Sequence, residues 1–285
     1  TEVVWKSSVR NKVRDRFNRC LQEVKVPSEI TRKMYGVTPS KMKASQWQTV
    51  DMFCLATLAL QLTGNKELTQ VLLLYTFIVR LGYGGNYDFE QVKQRLNLTQ
   101  TMNTFYKLYS KVFGVGAFTF NLHSFYHFLE SRERNGPVWT HSTGKYESLY
   151  AVTRRCYDGR TFNTPLQLLE NFHGAARTEH RCNLKRSLNM ADKTTAKTDD
   201  TLIYTRDGLY QIDKILEDGA LKVRKLIVTP LDTSDIIKLP WAFVGVFKLH
   251  NIETYPTYLD KEDVVAKAIL CKDIISTCYT EWLLT

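Results

Sequence analysis

The chain has 285 residues, 44% of them hydrophobic and 12% aromatic, enough to bury one large core or two ordinary ones. No apolar run approaches the ~18 residues that span a bilayer, so a helical membrane protein is excluded; the richest run is Met52 to Leu62. Thirty-nine Lys and Arg stand against 29 Asp and Glu, a net charge of +10 that favours an acidic partner such as nucleic acid. The six cysteines (Cys20, Cys54, Cys156, Cys182, Cys271 and Cys278) form no CxxC pair and no secreted-domain spacing, so they read as reduced thiols. The chain opens at Thr1, with no signal peptide, and reads as a fragment or a trimmed form.

Residues 1–24 read as a basic amphipathic helix, with Val4, Trp5, Val9, Val13, Phe17 and Leu21 at helical spacing. Pro27 stops it. Lys41 to Trp47 lead into an apolar helix, Val50 to Leu62, that ends at Thr63-Gly64-Asn65. Glu67 to Leu81 predicts a buried helix, and Phe89 to Phe113 a longer one. Residues 40–133 therefore read as a helical bundle with short loops.

Phe118 to Tyr157 concentrates polar residues that could carry chemistry. His123 and His127 lie four apart, hence on one helix face. Gly136-Pro137 breaks the chain, and Trp139, His141 and Glu147 follow. Three readings compete. A zincin needs Glu directly after the first His, and Ser124 stands there. Packed, hydrogen-bonded histidines at a helix–helix contact are the plain alternative. In the third, Glu147 is one acid of a multi-carboxylate nuclease site. Further on, Arg154, Arg155, Arg181, Lys185 and Arg186 are either phosphate contacts or a solvated face.

Residues 191–200, ADKTTAKTDD, read as a polar linker. Beyond it the period changes. Strands are predicted at 201–204, 208–215, 220–228, 242–250, 264–270 and 275–282, with Asp207-Gly208 and Asp218-Gly219 as turn dipeptides. The fold class expected is α+β: a helical domain over 1–190, a linker over 191–200 and a small β-barrel-like domain over 201–285.

The order Lys43-Ala44-Ser45-Gln46-Trp47, Asn121-Leu122-His123 with His127, Gly136-Pro137-Val138-Trp139, then Tyr146-Glu147 resembles the C-terminal half of transposases of the CACTA (En/Spm-like) superfamily. The resemblance implies an RNase H-like core with three acids that bind two divalent cations, Mg²⁺ or Mn²⁺, and cut and join DNA strands. It assigns Glu147 the role of the third acid and metal ligand, on a helix after an inserted helical domain. His123, His127, Trp139 and His141 would support that helix. The five basic residues above would contact DNA phosphates without reading sequence.

The chain departs from the family pattern. No strand bearing Asp precedes residue 40, the only early aspartates are Asp15 and Asp51, and Gln46 stands where relatives carry Glu. One acid cannot assemble a two-metal site, so the chain alone is expected to be inactive and to need no cofactor. The expected partner is DNA, in the nucleus, with no membrane. The alternative is a transposon-derived, non-catalytic interaction protein whose β-barrel binds a protein or chromatin partner. A zinc hydrolase built on His123 and His127 is a third reading, expected to bind about one zinc per chain.

Overall fold

A computed structural model describes residues 42–62, 64–84, 86–140 and 201–279, with six positions between Asp15 and Val24. The architecture is α+β, with helices first and an antiparallel sheet after them.

Asp15, Phe17, Asn18, Arg19 and Leu21 are helical, as expected for that stretch, and the first helix described along its whole length is α1 (Ala44–Thr49). Gln46 starts it: its Oε1 accepts the Lys43 backbone N–H at 3.0 Å, the reach-back of a capping box. The expected uninterrupted helix from Val50 is corrected here. Residues Val50–Cys54 form a π turn, and only then does α2 (Leu55–Leu62) resume ordinary spacing. The next helix, α3 (Lys66–Tyr83), starts where Asn65 Oδ1 accepts from Leu68 N at 3.0 Å. Its run VLLLYTFIV is apolar on every face, so it must be covered all round. It is: Leu73, Leu74, Phe77, Ile78 and Leu81 are each at most 1% exposed.

The long helix expected from Phe89 to Phe113 is two helices, α4 (Asn86–Arg95) and α5 (Leu98–Phe113). Asn97 is the reason. Its Oδ1 accepts from Gln100 N at 2.9 Å and caps a new helix start. After α5 come α6 (Phe120–Tyr126) and α7 (Phe128–Asn135). Gly82, near the end of α3, lets α7 approach. A Cβ there would lie 2.1 Å from the Phe128 ring.

Among the described residues seven strands make one sheet: β1 (Leu202–Thr205), β2 (Gly208–Ile215), β3 (Leu221–Pro230), β4 (Val246–Ile252), β5 (Thr257–Leu259), β6 (Val264–Cys271) and β7 (Ile274–Tyr279). All pairings are antiparallel, in the order β2-β1-β6-β7-β4-β3-β5, and β2 also pairs with β3. Ten-residue β3 serves both β4 and β5 along one edge, using Leu226–Pro230 for the first and Leu221–Val223 for the second. The Asp-Gly dipeptides mark real hairpins. The first turn is Arg206-Asp207, with Gly208 opening β2, and the second places Gly219 at φ +90°. The strand expected from Ala242 starts later. Trp241–Val244 is a 3₁₀ turn, and Gly245 at φ +65° turns the chain into β4. The expectations did not include β5.

The helices and the sheet share their cores. Phe77 of α3 meets Trp241 edge-on at 5.7 Å. Leu231, Trp241, Val244, Val246 and Ile274 belong to the same cluster as the buried faces of α3, α4 and α5. A second cluster joins Leu21, Val50, Met52 and Cys54 to Ile269 and Cys271 of β6. The expected linker, 191–200, lies outside the described residues, and on either side of it the core is continuous.

Arg80 ties the two halves together. It is 0% exposed. Its guanidinium donates to the carbonyls of Val244 (2.6 Å), Met52 (2.7 Å), Thr277 (3.1 Å) and Gly245 (3.3 Å). A guanidinium presents five N–H donors in a rigid fork, so it can reach several carbonyls at once.

Candidate functional site

The segment carrying the two histidines forms α6, the junction at His127, and α7. Thr119 caps α6 by accepting from Leu122 N. The helix stops at His127, whose backbone sits at φ −86°, ψ 4°. Hence the HxxxH pair does not ride on one continuous helix. The rings of His123 and His127 meet edge-on at 5.5 Å, and both side chains are exposed. The packed helix–helix contact expected for them is therefore corrected: they lie on the surface. His127 Nδ1 is 3.0 Å from Glu130 Oε2, and Arg134 bridges the other oxygen of the same carboxylate at 2.6 Å. The hydrogen bond from His127, then the charge of Arg134, hold the Glu130 carboxyl below its usual range.

Ser124, where a zincin would carry Glu, donates its hydroxyl to Phe120 O at 3.2 Å. Among the described residues, no three His, Cys, Asp or Glu side chains gather as a metal site would need.

The GPVW segment turns the chain back toward α3. Gly136 sits at φ +85° and closes α7, its N–H donating to Arg132 O at 3.0 Å. Residues Val138–Thr140 form a 3₁₀ turn packed against α3 and α7. Trp139 is in that turn, and its side chain lies outside the described residues. So do His141, Glu147, Arg154, Arg155, Arg181, Lys185 and Arg186. The structure thus brings His123 and His127 together and describes the chain as far as Thr140.

Arg132, on α7, escaped the sequence reading. It is 2% exposed, donates to Gly84 O at 3.1 Å and stacks over Phe89 at 4.5 Å. Its Nε is buried with no acceptor. Burial lowers its pKa from the usual arginine value, against the pull of Glu90. Nothing in the pattern SRERNG separates this arginine from its exposed neighbour Arg134 except their helix faces.

A second polar group surrounds the π turn. Asp51 Oδ2 accepts from Tyr75 OH at 3.2 Å. Burial pushes the Asp51 carboxyl up to about 6, although the Tyr75 hydrogen bond pulls it down. Burial and the neighbouring Asp51 raise Tyr75 and Tyr83 above the usual phenol value. One phenol, Tyr75, thus holds this carboxyl, and among the described residues no Lys or Arg pairs with it.

Beyond α5 an aromatic layer reaches the surface. Phe105 is buried at its base. Tyr106, Tyr109 and Tyr126 are half-buried above it, Phe113 and Phe118 crown it, and Phe120 stands exposed nearby in sequence. Tyr106 donates its hydroxyl to Leu122 O and locks α6 onto α5. Burial, then Tyr126 and Tyr109, push that phenol up to about 12.

No family model, curated protein or solved structure matches this chain.

Proposed function

We propose that this chain is the DNA-binding, C-terminal portion of a DDE transposase or of a protein descended from one. In the whole enzyme it would form part of the wall around a metal-dependent site that cuts and joins DNA strands. In this reading the helices are the inserted domain, and the segment after residue 140 supplies the last catalytic helix of an RNase H-like core, with Glu147 as the third acid. Two cations need three carboxylates, so this chain's own activity is binding. Working on chromosomal DNA, it would act in the nucleus.

One observation carries the reading. The separated motifs collect around a single helix. The π turn that continues the KASQW helix, the α7 half of the histidine segment and the GPVW turn all pack on α3. A common backing for motifs spread over about a hundred residues is what an inserted wall facing one site requires. The charge is distributed to match. Residues 1–41 hold ten Lys and Arg against four Asp and Glu, and residues 141–200 hold ten against seven. Residues 201–285 hold ten against twelve, so the polyanion is assigned to the helical half.

The acidic balance of the sheet favours a second role for it. Read as a closed barrel, with β2 joining β1 to β3, it exposes Tyr255 (84%) and Tyr258 (61%) beside β5. That surface suits a protein or chromatin peptide rather than a phosphate backbone.

Anisotropy of a labelled mixed-sequence duplex against salt tests DNA binding. Contacts from Arg154, Arg155, Arg181, Lys185 and Arg186 to five phosphates give a log–log slope of about −4 to −5. That slope means roughly a 10²–10³-fold loss between 50 and 200 mM salt. Arg154→Ala with Arg155→Ala should flatten the slope by about 2 on every sequence alike. Affinity that stays level across this range defeats the proposal.

A further inference from the structure

We propose that the aromatic tip between α5 and α6 is a stacking platform for unpaired DNA bases; this deepens the DNA-binding reading and rests on it. Exposure is the first observation. Phe120 is 81% exposed, Val115 77%, Phe113 47% and Phe118 42%. Surface apolar residues are ordinary when scattered, but these four fall within eight positions of one turn.

Rigidity is the second. Phe113 lies 4.6 Å from Tyr109, and Phe118 lies 5.8 Å from Tyr109 and 5.9 Å from Tyr106. Phe105 meets Tyr106 edge-on at 5.4 Å beneath them. Gly114 at φ +80° ends α5, and the Thr119 cap starts α6, so the turn is fixed at both ends. Phe113 and Phe118 are therefore held in place before any ligand arrives, which lowers the ordering cost of binding.

Charge is the third, and it selects the occupant. From Leu96 through Leu129 there is no Asp or Glu, while Lys107, Lys111, His123 and His127 are present. Lys111 is paired with Glu67 and His127 with Glu130, and among the described residues neither Lys107 nor His123 has a carboxylate partner. A polyanion can reach the tip without meeting a carboxylate of this segment. A second copy of the chain fits less well. At ~200 Å² for a whole aromatic side chain, the four residues expose on the order of 450 Å². A stable interface needs about 800 Å² per partner. Base stacking has no such requirement, because each stacked base contributes by itself.

The test uses the full chain and a single-stranded oligonucleotide carrying 2-aminopurine, beside a duplex of the same sequence. Stacking should quench the 2-aminopurine on binding. Phe113→Ala with Phe120→Ala should weaken single-strand affinity by roughly 5- to 100-fold and abolish the quench, with duplex affinity kept within about twofold. Phe120→Tyr should keep single-strand affinity, and Phe120→Leu should not. Unchanged single-strand affinity in the double variant overturns the platform while leaving duplex binding intact. So does full rescue by leucine, which would assign the tip to a purely apolar contact. Loss of anionic-vesicle binding with single-strand affinity unchanged would assign it to lipid. Wild-type protein that binds neither oligonucleotide at low salt overturns the DNA-binding reading and this inference together.

Discussion

The Nε of Arg80 donates to the carbonyl of Val244 at 2.6 Å, in a place where neither residue touches water freely. The same guanidinium serves three more carbonyls, on the π turn and on the sheet. Removing it takes this donor from the buried carbonyls of Val244, Met52 and Thr277, each costing ~1–3 kcal/mol if left unsatisfied, while Gly245 O keeps the Thr277 backbone N–H at 2.9 Å. Arg80→Leu should therefore cost at least about 3 kcal/mol. Urea unfolding followed by far-ultraviolet circular dichroism measures it. Arg80→Lys should recover little, since an ammonium cannot span the fork. A variant with the wild-type midpoint would show that the carbonyls find other donors.

Gly245 lies under that guanidinium. A Cβ there would sit 1.9 Å from Thr277 Oγ1 and 3.3 Å from Arg80 Nη2, at a φ of +65°. Gly245→Ala should lose about 1 kcal/mol to backbone strain, and more to the clash with Thr277. Gly245→Ala combined with Thr277→Ser keeps the hydroxyl and should remain destabilised; combined with Thr277→Ala it should recover part of the loss. Equal stability of the two double variants would refute the contact.

Asp51 makes stability depend on pH. Its carboxyl is raised by burial from 3.8 to about 6 in the folded protein. The folded state therefore holds the proton more tightly than the unfolded chain. Its contribution is fully present below pH 4 and is lost as pH rises through 6. Asp51→Asn keeps an acceptor for Tyr75 and removes the titration. It should raise stability at pH 7.5 by about 3 kcal/mol relative to wild type, and leave it nearly unchanged at pH 4. Chemical denaturation at the two pH values decides this; an equal difference at both would show that Asp51 titrates normally.

The shared core predicts the behaviour of a fragment. Residues 201–285 alone would expose Leu231, Trp241, Val244, Val246 and Ile274, which the helices now cover. The fragment should lack the near-ultraviolet signal of a packed Trp241 and should aggregate, and addition of residues 1–190 should restore the signal. A fragment that unfolds cooperatively with Trp241 buried would show that the sheet holds itself together.

Much of this fold is legible in the order of residues. The apolar run of α3 has no polar face, and only a central helix can bury it. Asp-Gly dipeptides between alternating strands announce their hairpins. Asn97 with Gln100 three residues on is a helix start, readable as such, although the helical spacing on both sides masks it. The π turn is not legible, because one extra residue per turn leaves the composition of VDMFC unchanged. Arg80 is hidden for another reason. Its acceptors are backbone carbonyls, which every residue carries, so no side-chain pattern points to them. Of the candidate site, the GPVW turn is readable from Gly and Pro, and the structure bears it out. The surface position of His123 and His127 depends on the break at His127, which no turn residue signals. Glu147 and the basic residues after it lie outside the described residues.

The Arg80–Val244 bond spans 164 positions of sequence. At a synthesis rate of ~5–20 residues per second, roughly 10–30 s separate the emergence of its two ends from the ribosome. During that interval the helical half leaves the exit tunnel with a guanidinium set among greasy side chains and most of its acceptors not yet made. The nascent chain is then an attractive client for a holding chaperone, and translation speed becomes a determinant of yield.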